Sequence, residues 1–163
     1  MNIKNILLVE DDPRDVELTL LALGEHDLAD KVYVVHDGAE ALDYLYRREK
    51  FHERAGGQPI VVLLDNKMPK LNGLEVLKTM KADAQLKLIP VVVLTSSRET
   101  PDLIEFYKYG VNAYVVKPVS AAEFMAAVKL LGVFWGAINE PPPPAGGAAT
   151  PDPGAATISA GKK

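Results

Sequence analysis

Residues 60–69 read IVVLLDNKMP, and this stretch decides the fold class. Five apolar residues, three of them β-branched, run without a polar break and stop at Asp65. A strand with one wet face would alternate, so an unbroken run this short belongs to a strand buried on both faces, as in parallel sheets. The pattern recurs at Ile6–Val9, Val32–Val35, Val91–Leu94 and Ala113–Val116. Helical spacing fills the intervals. Asp12-Pro13 supplies an N-cap and a first helical residue, with Val16, Leu20 and Leu23 on one face. Gly38 opens a second helix carrying Ala41, Leu42 and Leu45, and Gly73 a third with Leu74, Leu77 and Met80. Thr100-Pro101 begins a fourth with Ile104 and Tyr107, and Ser120 caps a fifth carrying Phe124, Val128, Leu131, Trp135 and Ile138. Five strands alternating with five helices predict an α/β fold, a doubly wound five-stranded parallel sheet with helices on both faces.

Composition sets the bounds. At 163 residues the chain has room for one domain and a tail. Zero cysteine excludes disulfides, thiolate catalysis and Cys-type metal sites. A net charge of −4 argues against nucleic acid as a direct partner, since that role needs a basic patch. No uninterrupted run of 18 apolar residues occurs, which predicts no membrane span. The start, MNIKNILLVEDD, lacks a small-residue cleavage site and predicts a cytoplasmic location. From Pro141 the chain reads PPPPAGGAATPDPGAATISAGKK. Too little apolar surface is present there to offset chain entropy, so residues 1–139 are expected to be the domain and 140–163 a disordered Pro/Gly/Ala-rich tail. The four prolines read as a stiff spacer.

In open parallel sheets, ligands bind beyond the carboxyl ends of the strands. Glu10, Asp11 and Asp12 follow the first strand, Asp65 the third, Thr95, Ser96 and Ser97 the fourth, and Lys117-Pro118 the fifth. Each has a plain local explanation: Asp12 as a cap, the acids as a solvated turn, the hydroxyls as loop groups, Lys117 as an exposed cation. Together they suit phosphoryl transfer. Converging carboxylates need a cation, and an oxygen-only ligand set selects a hard ion such as Mg²⁺. A carboxylate beside that ion can act as nucleophile, while a lysine and a hydroxyl neutralise the transferred group. No Walker loop or G-x-G-x-x-G is present, so the donor must bring its own phosphoryl group.

LLVEDDP, LLDNKMP with Gly73 after it, VVVLTSS and AYVVKP, in that order, resemble the receiver domain of two-component response regulators over residues 3–139. The resemblance implies strand order 2-1-3-4-5 and a flavodoxin-like fold. It implies that Asp65 is the phosphoacceptor, that Asp11 ligates Mg²⁺ (or Mn²⁺) directly and Glu10 through water, and that Lys67 offers its backbone carbonyl. Thr95 would close on the phosphoryl oxygen, Lys117 would pair with it, and Tyr114 would be the switch aromatic. The Lys117–Pro118 bond would be cis. Tyr114 would turn inward on phosphorylation and reshape the surface of the fourth helix, fifth strand and fifth helix. Phe106, Tyr107, Tyr109 and Trp135 load that surface with aromatic residues and predict a homodimer through it. The partner would be a sensor histidine kinase or phosphatase docking on Arg14, Glu17 and the Pro118 loop. The segment YRREKFHERAGGQP and the late Phe134-Trp135 pair are similar to stand-alone receivers that serve phytochrome-type photoreceptor kinases.

Two positions depart from the pattern. Lys67 stands where uncharged or acidic residues are commoner. Its ammonium, with Ser97, is expected to tune the lifetime of the phosphoryl group. Asn66 receives no role from the sequence. The separate His26, His36 and His52 suggest no metal or relay site. A haloacid-dehalogenase-type phosphatase would want an Asp at position 67, and a flavodoxin-like carrier would want hydroxyls and glycine where Glu10-Asp11-Asp12 stands. A degenerate receiver that is never phosphorylated, acting as an interaction module, is the serious competitor.

Overall fold

The computed structural model describes residues 5–143. The proline-rich segment beyond position 143, where most of the expected tail falls, lies outside the described residues. The elements run β1 (Ile6–Val9), α1 (Pro13–Gly24), β2 (Val32–Val35), α2 (Gly38–Tyr46), β3 (Val61–Leu64), α3 (Gly73–Ala82), β4 (Val91–Thr95), α4 (Thr100–Lys108), β5 (Ala113–Val116) and α5 (Ala121–Val133). The sheet is parallel with order β2-β1-β3-β4-β5, as expected. Three short 3₁₀ turns, Ala29–Lys31, Glu49–Phe51 and Leu86–Leu88, were not foreseen. Runs so short carry no periodicity to read.

β1, β3 and β4 are wholly buried, which explains their lack of alternation. One face of the sheet meets α2, α3 and α4 through Leu7, Val62, Val93, Leu77 and Phe106. The other meets α1 and α5 through Ile6, Leu8, Leu63, Val92 and Leu131. Helix starts follow the caps read from sequence. Asp12 accepts from Arg14 N at 2.8 Å, and Ser120 accepts from Glu123 N at 3.4 Å. Asn72 adds a capping box with Glu75. α1 and α5 approach closely at Gly132, where a Cβ would lie 2.6 Å from Leu23 Cδ2.

The fifth helix does not keep Phe124, Val128, Leu131, Trp135 and Ile138 on one inward face. After Val133 the chain widens into a π turn, Phe134–Ile138, which rotates the last apolar residues. Ile138 is 66% exposed while Trp135 stays against the core. The helical stretch Ala121–Ile138 has 18 residues with mean hydropathy 1.5, so length and composition alone would permit a membrane span. Glu123 and Lys129 interrupt it, so the absence of an unbroken apolar run still holds, and a single helix of this length and composition does not by itself make a membrane span. Here Phe124, Val128, Gly132 and Gly136 are buried along this stretch.

The segment after α2 is fastened by arginine. Arg54 lies over the Tyr44 ring at 4.1 Å and donates to the carbonyls of Tyr44 (3.1 Å) and Gly57 (2.9 Å). Arg47 donates to the carbonyls of Arg54 and Gly56, and Gln58 to Leu45 O at 2.8 Å. Tyr44, Tyr33 and Phe51 form a ring cluster beneath, with centroids 4.8–5.6 Å apart.

Candidate functional site

Register brings the acidic residues together. Val9 is aligned with Leu64 across β1 and β3, so the residues that follow them, Glu10 and Asp65, leave the sheet side by side. Main-chain bonds extend the ladder one step: Asp65 N donates to Val9 O and Glu10 N to Val35 O, both at 3.0 Å. At the other side Thr95 is aligned with Val116, and Lys117 N donates to Thr95 O at 2.7 Å. Five sequence-predicted residues, Glu10, Asp11, Asp65, Thr95 and Lys117, therefore sit at one sheet edge.

Carboxylate oxygens of Glu10, Asp11 and Asp65 lie within 4.8 Å of one another. Such a set, with no nitrogen or sulfur donor, fits a hard divalent cation. Glu10 is 3% exposed and Asp65 9%, whereas Asp11 faces solvent. Burial, reinforced by the Asp65 charge, pushes the Glu10 carboxyl up to about 7 against the pull of Lys117. Burial raises Asp65 too, with Lys117 opposing. Lys117 Nζ is 2.6 Å from Glu10 Oε2, 2.8 Å from Asp15 Oδ2 and 3.5 Å from Asp65 Oδ1. Burial would lower this ammonium, but its bonds to Asp15 and Glu10 outweigh that and hold it above the usual lysine range.

Asp15 was missed by the sequence reading. It sits one turn into α1, where an acidic residue reads as a favourable first-turn charge. Nothing local says that Lys117, 102 positions later, will reach it. Asn66 now has a role. Its side-chain oxygen accepts from Leu74 N at 3.3 Å, and its carbonyl accepts from Gly73 N at 2.8 Å, so it ties the Asp65 loop to the start of α3. Gly73 is required there because a Cβ would fall 2.3 Å from Asp65 O.

Thr95 is buried, and its Oγ1 accepts from Ser97 N at 3.2 Å. Ser97 Oγ donates to Asp102 at 2.5 Å and accepts from Glu99 N at 3.3 Å, at the entry to α4. Tyr114 OH donates to Ser97 O at 3.0 Å, and its ring meets Phe106 edge-on at 5.6 Å. Ser97 thus joins the hydroxyl at the strand end to both α4 and β5. Lys67, two residues after Asp65, is exposed.

Two expectations fail. No peptide bond among the described residues is cis, so Lys117–Pro118 is trans. The two isomers of a prolyl bond differ by only about 0.5–1 kcal/mol, and sequence alone does not choose between them. The aromatic surface also differs. Phe106 is 1% exposed and belongs to the core, while Tyr109 and Trp135 lean on it. Of the four, Tyr107 is the exposed one, at 56%. The apolar side chains that do face outward from α4, α5 and the π turn after it are Ile104, Leu130, Phe134 and Ile138.

Residues 6–129 match the response regulator receiver domain family. The response regulator Rcp1 of Synechocystis sp. is 34% identical over 132 residues, covering 81% of this chain and 88% of Rcp1. Its Mn²⁺-bound crystal structure superposes with a TM-score of 0.78 at 32% identity, covering 86% of this chain and 99% of that one. The phosphorylated cyanobacterial phytochrome response regulator RcpA gives a TM-score of 0.80 at 36% identity, with 86% and 99% coverage. The bacteriophytochrome response regulator RtBRR is 58% identical with a TM-score of 0.68, covering 86% of this chain and 84% of that one.

Proposed function

Because the chain belongs to the response regulator receiver domain family, we propose that it accepts a phosphoryl group on Asp65 from a sensor histidine kinase and answers with a change in its α4-β5-α5 surface. The observation that carries this reading is the meeting of Glu10, Asp11 and Asp65 with Lys117 and Thr95 at one sheet edge. Glu10 and Asp11 would hold Mg²⁺ together with Asp65 and the Lys67 carbonyl. Bound there, the ion supplies charge neutralisation for the phosphoryl oxygens. An Asp65 oxygen attacks phosphorus, the bond from phosphorus to the donor's nitrogen breaks, and the donor imidazole keeps the electron pair. The added charge draws Lys117 away from Asp15 and Glu10, and it draws the Thr95 hydroxyl forward. Movement of Thr95 disturbs its bond to Ser97, to which Asp102 and Tyr114 are both tied. That is the path by which α4 and β5 would respond.

Similarity to RcpA and RtBRR supports a place in a phytochrome-type light pathway, and the chemistry supports a cytoplasmic setting where phosphohistidine donors are made. Exposed Arg14 and Glu17 on α1 and the Pro118 loop would meet the kinase. Ile104, Leu130, Phe134 and Ile138 favour a homodimer through α4, β5 and α5. Residues 1–139 would form the receiver and 140–163 a spacer.

Incubation with acetyl phosphate and MgCl₂ followed by intact mass tests the reading. The parent should gain one phosphoryl mass that neither Asp65→Asn nor EDTA-treated protein acquires. Equal uptake by Asp65→Asn, or none by the parent, would reject it, and the second result would leave a degenerate receiver.

A further inference from the structure

At the opposite end of the sheet from Asp65, where α3 and α4 finish and the chain turns into β4 and β5, lies a cavity of about 610 Å³. Lys78, Lys81, Lys87 and Lys108 line it, with Tyr109 and Leu88 as apolar wall. Four lysines lining one hollow of a chain with net charge −4 is an uneven distribution. The like charges favour an anionic occupant.

Among the described residues, the lysine ion pairs involve Lys50, Lys70, Lys117 and Lys129, none of them in this cavity. The acid beside it, Asp83, lines a neighbouring hollow with Lys78. Asp83 is already engaged by Tyr46 OH at 3.1 Å and by the amides of Gln85 and Leu86 at 2.8 and 3.0 Å.

Helix ends explain part of the cluster. Lys81 and Lys108 occupy the last turns of α3 and α4, where cations are favoured by about 0.3–1 kcal/mol. Lys81 is also structural, donating to Lys87 O and Asn112 Oδ1, both at 3.3 Å. Neither account covers Lys78 or Lys87. Lys78 stands 4.5 Å over the Tyr109 ring, and Lys108 5.5 Å from the same ring. The aromatic side chain therefore holds two ammonium groups at the rim. Leu88, also in the lining, is 54% exposed.

We propose that this cavity docks an acidic peptide segment of a partner protein, its carboxylates on Lys78, Lys87 and Lys108 and an apolar side chain on Leu88 and Tyr109. The exposed Leu88 and the Tyr109 ring beside the lysines suit a peptide, which brings apolar side chains along with its carboxylates, over a compact phosphate. A nucleic acid would need a row of cations along a strand, whereas these four line one hollow. The position leaves Asp65 open, so the contact would not compete with phosphorylation for that residue. It does not depend on Asp65 being the acceptor.

The test uses the full chain and a fluorescein-labelled octapeptide of Glu and Asp with one Leu and one Phe, followed by anisotropy at low salt. An otherwise identical peptide with Gln and Asn for the acids is the control, and a 12-mer oligonucleotide is the competitor. The acidic peptide should bind at least about tenfold more tightly than the amide control. Lys87→Glu with Lys108→Glu should lose that advantage, and Leu88→Ser should weaken binding about threefold. All three substituted positions are exposed, and unchanged thermal unfolding would show that the fold is intact. Equal binding of both peptides, undiminished binding to the double variant, or no measurable binding overturns the proposal. Tighter binding of the oligonucleotide overturns it in favour of nucleic acid.

Discussion

Glu10→Gln should make the metal-free protein more stable at pH 8 while removing its response to Mg²⁺. Glu10 is 3% exposed, and burial lifts its carboxyl from 4.5 to about 7 in the folded state. A folded-state value above the unfolded one means that the native protein holds more protons across this window. Stability therefore falls as pH rises from about 4.5 to 7 and levels off above it. At 1.36 kcal/mol per pH unit, the interval sets a ceiling of about 3 kcal/mol for the cost of ionising Glu10. Water at the mouth of the site and relaxation of Lys117 onto Asp15 reduce this to about 1–2 kcal/mol. For a chain of this size that is a rise of about 3–6 °C in Tm for Glu10→Gln at pH 8. Near pH 5 the difference should shrink to about a quarter, since the parent is then mostly protonated at this site. Saturating MgCl₂ should stabilise the parent by mass action and leave the variant nearly unmoved. Differential scanning calorimetry across pH 5–8, with and without MgCl₂, reads every quantity named. A variant less stable than its parent at pH 8 would refute the reasoning, because the Lys117–Glu10 pair would then outweigh the burial of the carboxylate.

Three further outcomes are expected. Gly73→Ala places a methyl 2.3 Å from Asp65 O and must shift the acceptor loop; urea unfolding should show a loss of about 2–4 kcal/mol, and acetyl phosphate uptake should slow. Lys67→Ala should speed self-dephosphorylation a few-fold, read by the decay of the phosphorylated mass, because an exposed ammonium no longer obstructs the attacking water; equal rates would discard a lifetime role. Phe134→Glu, at a side chain 46% exposed, should leave folding intact and convert dimer to monomer in sedimentation at micromolar concentration, whereas a parent that is monomeric with and without phosphorylation would remove the dimer proposal.

What the amino-acid sequence determined by itself was everything written in local spacing. Unbroken β-branched runs name buried parallel strands, Asp12-Pro13 and Ser120 name helix starts, and the residue after each strand names the edge where ligands collect. Asp65, Glu10, Asp11, Thr95 and Lys117 were legible for that reason. What only the tertiary structure decided depends on partners distant in the chain. Asp15 gains meaning from Lys117, and Asn66 from the amide of Leu74. Phe106 and Tyr107 are adjacent in sequence and equally aromatic, yet one is core and the other surface, because a helix rotates successive residues by about 100° and only packing shows which side is inward. The π turn after Val133 moves Ile138 off the face its spacing assigns. Four lysines spread over residues 78–108 look like scattered solvated charges until α3, the turn before β4 and the end of α4 fold around one hollow. Periodicity is a property of neighbouring residues, whereas register, helix rotation and charge convergence belong to the packed chain.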